Sequence, residues 1–97
     1  MNAEFDPAAE QEFVDPIHRY LIEAGPLQAV EFDNEVKRVV GLLLTLPKIG
    51  TSGARGTRSI PVRRYLFSLQ YRIEGNVLRV LAVAHHSRRP GYWARRG

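Results

Sequence analysis

The stretch Tyr65-Leu66-Phe67-Ser68-Leu69-Gln70-Tyr71-Arg72-Ile73, then Glu74-Gly75-Asn76, then Val77-Leu78-Arg79-Val80-Leu81-Ala82-Val83-Ala84-His85, decides the fold. In its first part Tyr65, Phe67, Leu69, Tyr71 and Ile73 alternate with Leu66, Ser68, Gln70 and Arg72. A strict period of two, with aromatic residues on one side, predicts a half-buried antiparallel strand. Glu74-Gly75-Asn76 predicts a tight hairpin turn. The returning segment is apolar on both faces and predicts a central strand. Its alternation places Leu78, Val80, Ala82 and Ala84 on one side and Arg79, Leu81, Val83 and His85 on the other. Ser68, Gln70 and Arg72 join the second set on the face turned away from the helices, a basic, partly apolar surface suited to binding.

Upstream, Arg58, Ile60 and Val62 alternate in a further short strand, and Pro61 marks an edge or a bulge. The segment from Ile49 to Thr57 carries three glycines and reads as a mobile loop. It lacks the Gly-x-x-x-x-Gly-Lys-Ser/Thr spacing of a phosphate-binding loop. Ahead of it, two helices are predicted. Asp6-Pro7 matches an N-cap followed by proline at the first helical position, and Phe13, Ile17, Tyr20 and Leu21 form a buried stripe towards Ala24. Pro16 predicts a kink or a restart, with Asp15 as a second N-cap. Gly25-Pro26 separates this segment from a second helix over Leu27 to Leu46, whose apolar face is Val30, Val36, Val39, Val40, Leu43 and Leu44. Ala3-Glu4-Phe5 reads as a short first strand. The expected fold is a single α+β domain over residues 1–97: a short N-terminal strand, a helical hairpin packed on an antiparallel sheet of three to four strands, and a short C-terminal tail.

Charge is segregated along the chain. Residues 1–35 hold nine acids and one base, Arg19; residues 36–97 hold thirteen bases and one acid, Glu74. A basic half points to an anionic partner, either nucleic acid or an acidic protein segment. The chain has no cysteine, which excludes disulfides, thiolate metal sites and cysteine nucleophiles and favours a cytoplasmic setting. The acidic opening Met1 to Asp6 is not expected to act as a secretory leader, and no membrane span is expected.

The tail Ser87-Arg88-Arg89-Pro90-Gly91-Tyr92-Trp93-Ala94-Arg95-Arg96 leaves the last strand directly. Arginine, tyrosine and tryptophan suit recognition of phosphates, bases and acidic surfaces. His85 and His86 are adjacent on a strand, point to opposite faces and do not make a metal site; no metal or other cofactor is expected. Imidazole titrates near neutrality, so His85 is a chemically reasonable general acid or base. Ser87 beside His86 has no orienting acid nearby in sequence, so no hydrolytic triad is read there.

With these segments in place, the chain resembles the RelE/ParE superfamily of bacterial type II toxins. The resemblance rests on Phe5-Asp6-Pro7-Ala8-Ala9-Glu10, the helical hairpin, Val62-Arg63-Arg64-Tyr65 and the strand after it, and the closing Arg89-Pro90-Gly91-Tyr92-Trp93. It implies a toxin neutralised by a cognate antitoxin protein. ParE-like members inhibit DNA gyrase by binding; RelE-like members cleave mRNA on the ribosome. If this chain is a ribonuclease, the resemblance assigns catalysis to His85, Arg88 and Tyr92. Ribonuclease members carry arginine in an aromatic-Arg-aliphatic-x-Tyr strand motif; here the stretch is Phe67-Ser68-Leu69-Gln70-Tyr71. A hydroxyl at Ser68 cannot stabilise phosphoryl charge as a guanidinium does, and removing such a donor costs on the order of a hundredfold in rate. The expectation is therefore a ParE-like, gyrase-binding toxin, with an mRNA-cleaving one as the alternative. Target contact is expected from Arg58, Arg64, Arg72, Arg79, His85, Arg88, Arg89, Tyr92 and Trp93.

Overall fold

A computed structural model of the chain describes residues 1–96. The elements run β1 (Asn2–Phe5), α1 (Pro7–Glu23), α2 (Pro26–Thr45), β2 (Thr51–Ser52), β3 (Thr57–Val62), β4 (Phe67–Glu74) and β5 (Val77–His85), with a single 3-10 turn at Ala54–Gly56. The two helices cover one face of a five-stranded sheet of order β1-β5-β4-β3-β2. The sheet is mixed: β1 pairs with β5 in parallel, and the other pairs are antiparallel. The α+β class and the order of elements match the sequence reading; the parallel edge and the fifth strand enlarge the sheet beyond it.

Asp6 caps α1, its carboxylate accepting the Ala8 N–H at 3.0 Å. The helix runs through Pro16 without a restart, so Asp15 is not a second cap; its carboxylate accepts from the Gln11 side chain instead. Proline costs the helix one backbone hydrogen bond, and here the ring is buried with Ala9 on the face towards the sheet. The stripe that packs is Ala9, Phe13, Pro16, Ile17 and Tyr20; Leu21 lies off it and is exposed. In α2 the buried face is Ala29, Phe32, Val36, Val39 and Leu43, and Val30 points to solvent. Phe32, missed because it sits between Glu31 and Asp33, is the hub of the core. Its ring centroid lies 6.2 Å from Phe13, 5.6 Å from Tyr20, 5.1 Å from Tyr65 and 5.3 Å from Phe67.

The segment expected to be a mobile loop is anchored. Thr51 and Ser52 pair with Ser59 and Arg58 as β2. The buried Tyr71 hydroxyl accepts the Gly50 N–H at 3.0 Å and donates to the Pro47 carbonyl at 2.7 Å. Pro61 lies on the part of β3 that β2 does not reach, where its missing N–H is harmless.

One irregularity changes the sheet faces. Gln70 pairs with Ala82 but Tyr71 pairs with Val80, so Leu81 is an extra residue, a β-bulge in β5. Beyond the bulge the alternation is reversed. Val83 and His85 lie opposite Leu69 and Phe67 on the helix side, and Ala82 and Ala84 take the outer face beside Gln70 and Ser68. The expected placement of Val83 and His85 on the outer face is thereby corrected. No helix among the described residues is long and apolar enough to cross a membrane.

Candidate functional site

The bulge, the end of β1 and the tail together build the molecule's most elaborate polar cluster. β1 stops at Phe5, opposite Val80, and leaves the rest of β5 without a strand partner on that side. An open edge carries unpaired backbone groups. Side chains supply partners there: Val83 N–H donates to Glu12 Oε1 at 3.2 Å, and the Leu81 carbonyl accepts from Arg96 Nη1 at 3.1 Å. Arg96 also binds Glu12, Nη1 to Oε1 at 2.7 Å and Nη2 to Oε2 at 3.2 Å. The Tyr92 hydroxyl donates to Glu12 Oε2 at 2.7 Å. One carboxylate on α1 thus holds the C-terminal tail on the free edge of β5.

This arrangement sets the chemistry of Tyr92. Burial first, then its hydrogen bond to the Glu12 carboxylate, push the phenol up to about 12. The guanidinium of Arg88 lies 4.1 Å and that of Arg96 5.0 Å from the ring centroid, and Trp93 meets the ring edge-on at 5.3 Å. The tail residues therefore dock on their own domain. Glu12 was not among the expected site residues; its partnership with Arg96 spans 84 positions and leaves no local pattern.

His85 stacks edge-on against Phe67 at 5.0 Å. Its Nδ1 accepts the Ser87 N–H at 3.0 Å, and the Ser87 hydroxyl lies 2.7 Å from the same nitrogen. A ring whose Nδ1 accepts carries its proton on Nε2. His85, Ser87 and Arg88 line a cleft of about 260 Å³ against α1, together with Glu12, Asp15 and Arg19. Tyr92 does not line this cleft. His86 points elsewhere, its Nε2 2.9 Å from the Ser68 hydroxyl.

The expected target-contact arginines fall into two groups. Arg58, Arg72 and Arg79 are engaged within the domain. Arg58 Nη1 donates to the carbonyls of Lys48 at 3.0 Å and Gly50 at 2.9 Å. Glu74, the one acid of the basic half, accepts from Arg72 at 2.7 and 2.9 Å and from Arg79 at 2.8 Å. Those bonds, from Arg79 first and then Arg72, hold its carboxyl below the usual range. Arg79 also lies 3.6 Å from Glu4. Arg64, Arg88 and Arg89 make no ion pair among the described residues and are exposed. All three sit at one end of the sheet, where the β3–β4 turn meets the end of β5; His86 N–H bonds the Leu66 carbonyl at 2.7 Å across that junction.

A family model described as the ParE toxin of the type II toxin–antitoxin system parDE matches residues 3–90. The chain belongs to the ParE toxin family. Among solved structures, one from the chromosomal ParDE toxin–antitoxin system of P. aeruginosa superposes with a TM-score of 0.76 at 19% identity, over 88% of this chain and 95% of that one. At that identity the likeness speaks for the fold. No curated protein sequence matches the chain. The matched ParE region takes in the bulged strand and His85, and it ends at Pro90, before Tyr92, Trp93 and Arg96.

Proposed function

We propose that this ParE-family toxin inhibits growth by binding an essential cytoplasmic target, DNA gyrase, and that a cognate antitoxin protein neutralises it. The observation that carries the binding reading is the state of the polar groups. Arg64, Arg88 and Arg89, none of them in an ion pair among the described residues, gather at one end of the sheet, and Tyr92 does not share the cleft that holds His85 and Arg88. Tyr92 donates its proton to Glu12 and holds it to about pH 12; Ser68 stands where a charge-stabilising arginine would be needed. A cationic end of this kind suits an acidic protein surface.

A second reading, ribosome-dependent mRNA cleavage, draws support from the cleft that brings His85 and Arg88 together. In it the His85 imidazole and the Arg88 guanidinium would serve as proton carrier and phosphate clamp. Two assays separate the readings. Purified toxin at micromolar concentration is expected to abolish DNA gyrase supercoiling, and intact gyrase activity would remove the first reading. Cleavage of mRNA on programmed ribosomes that depends on His85 would establish the second.

A further inference from the structure

Between α2 and the turn joining β3 to β4 lies a groove of about 650 Å³, walled by Glu31, Glu35 and Arg38 on the helix and by Arg63, Arg64 and Tyr65 on the turn. The turn is rigid. Tyr65 N–H bonds the Val62 carbonyl at 3.1 Å, and the Leu66 carbonyl is held by His86. The Tyr65 ring packs edge-on against Phe32 and Tyr20 at 5.1 and 6.0 Å. Arg64 has φ of 69°, a left-handed conformation that glycine or asparagine adopts far more readily than arginine. An arginine kept at such a position is a backbone outlier of the kind that accumulates at functional sites.

The charges of the groove are incompletely matched from within. Arg38 is taken by Glu35, with bonds of 2.9 and 2.7 Å, and that pairing holds the Glu35 carboxyl below its ordinary range. Arg63 also acts on Glu35, through its backbone N–H and its charge, whereas Arg64 and Glu31 make no ion pair among the described residues. One wall therefore offers the unpaired guanidinium of Arg64 and the other the unpaired carboxylate of Glu31. A polyphosphate laid in this groove would meet Glu31 and Glu35. A polypeptide segment that carries both signs of charge meets a complement on each wall. Tyr65 offers a preorganised aromatic contact, and Leu66, 64% exposed, an apolar one on the rim of the same turn.

We propose that this groove is the seat of the target protein, which lays a polypeptide segment along it, placing an acidic side chain on Arg63 and Arg64 and a basic one on Glu31. The proposal rests on the reading of this chain as a toxin that acts by binding a protein. It is tested by the growth inhibition of cells expressing the wild-type chain, Arg64→Gly, Arg63→Glu with Arg64→Glu, or Glu31→Arg. Arg64→Gly relaxes the backbone, so its melting temperature should not fall, and it separates loss of contact from loss of fold. Loss of toxicity by about tenfold or more in all three, with cooperative melting retained, is the expected result. Toxicity within twofold of wild type in Arg64→Gly and in the double variant overturns it. Binding of a short fluorescent single-stranded RNA that disappears in the double variant also overturns it, by making the turn a nucleic-acid surface. Gyrase supercoiling with the wild-type chain distinguishes this proposal from the choice of target. Toxicity lost in the variants while gyrase is untouched by wild type keeps the groove and removes gyrase.

Discussion

The hydroxyl of Tyr92 donates to the carboxylate of Glu12 at 2.7 Å, joining two residues 80 positions apart. Arg96 binds the same carboxylate, and the side chains of that ion pair are only 21% and 15% exposed. Glu12→Gln removes the charge that both tail residues use and leaves a largely buried guanidinium without its counter-ion. The expected loss of stability is about 1–3 kcal/mol, the range for a broken charge-assisted hydrogen bond in a shielded site. Trypsin should then cut after Arg88 and Arg95 well before the domain unfolds. Equal cleavage rates in wild type and variant would show that Glu12 does not hold the tail.

The same bond makes an alkaline prediction. An ordinary phenol ionises near pH 10, whereas Tyr92 is pushed up to about 12, by burial first and by Glu12 second. The folded pKa is raised, so the contribution of Tyr92 to stability is complete below about pH 10 and is lost as pH rises towards 12. Ultraviolet titration of phenolate absorbance should show Tyr92 ionising near the unfolding transition and moving lower in Glu12→Gln. Tyr92→Phe should remove that step from the titration.

Local pattern predicted the aromatic strand, the hairpin at Gly75 and the helical pair, because each rests on periodicity or turn chemistry within a few residues. The bulge at Leu81 was hidden for a physical reason. Residues 80–84 are apolar at every position, so the alternation carries no phase and cannot reveal an inserted residue. The misplacement of His85 follows from that one gap. Phe32 was obscured by flanking acids, and β2 consists of two polar residues held by tertiary contacts of Tyr71 and Arg58. Which arginines are paired within the domain was equally invisible, since the acidic partner of Arg96 lies on α1 and the partners of Arg58 are backbone carbonyls.

Gly50 and Tyr71 are coupled in a way that predicts non-additive stability. Tyr71→Phe leaves the Gly50 N–H and the Pro47 carbonyl without their partner and should cost about 1–3 kcal/mol. A Cβ at Gly50 would lie 2.6 Å from the Tyr71 hydroxyl oxygen and 3.0 Å from the Ser59 carbonyl oxygen. Gly50→Ala should therefore cost a similar ~1–3 kcal/mol through overpacking. Removing the hydroxyl relieves part of that clash, so the double variant should cost less than the sum of the two in urea unfolding. Strict additivity would mean that the loop moves away from Tyr71.

Tyr92→Phe also discriminates between the modes of action. The ring stays in reach of Arg88 and Trp93, and Arg96 still binds Glu12, so the tail should keep its place with only the hydroxyl lost. A toxin that acts by binding makes no use of that proton, which is already given to Glu12; growth inhibition should then stay within about threefold of wild type, an energy below that of a typical net hydrogen bond. A ribonuclease that draws on the Tyr92 proton should instead lose on the order of a hundredfold or more in cleavage. Growth inhibition measured at matched expression, with melting curves to show that the tail variant is folded, separates these outcomes. Loss on the larger scale would place proton transfer at Tyr92 and overturn the assignment of its hydroxyl to the Glu12 latch alone.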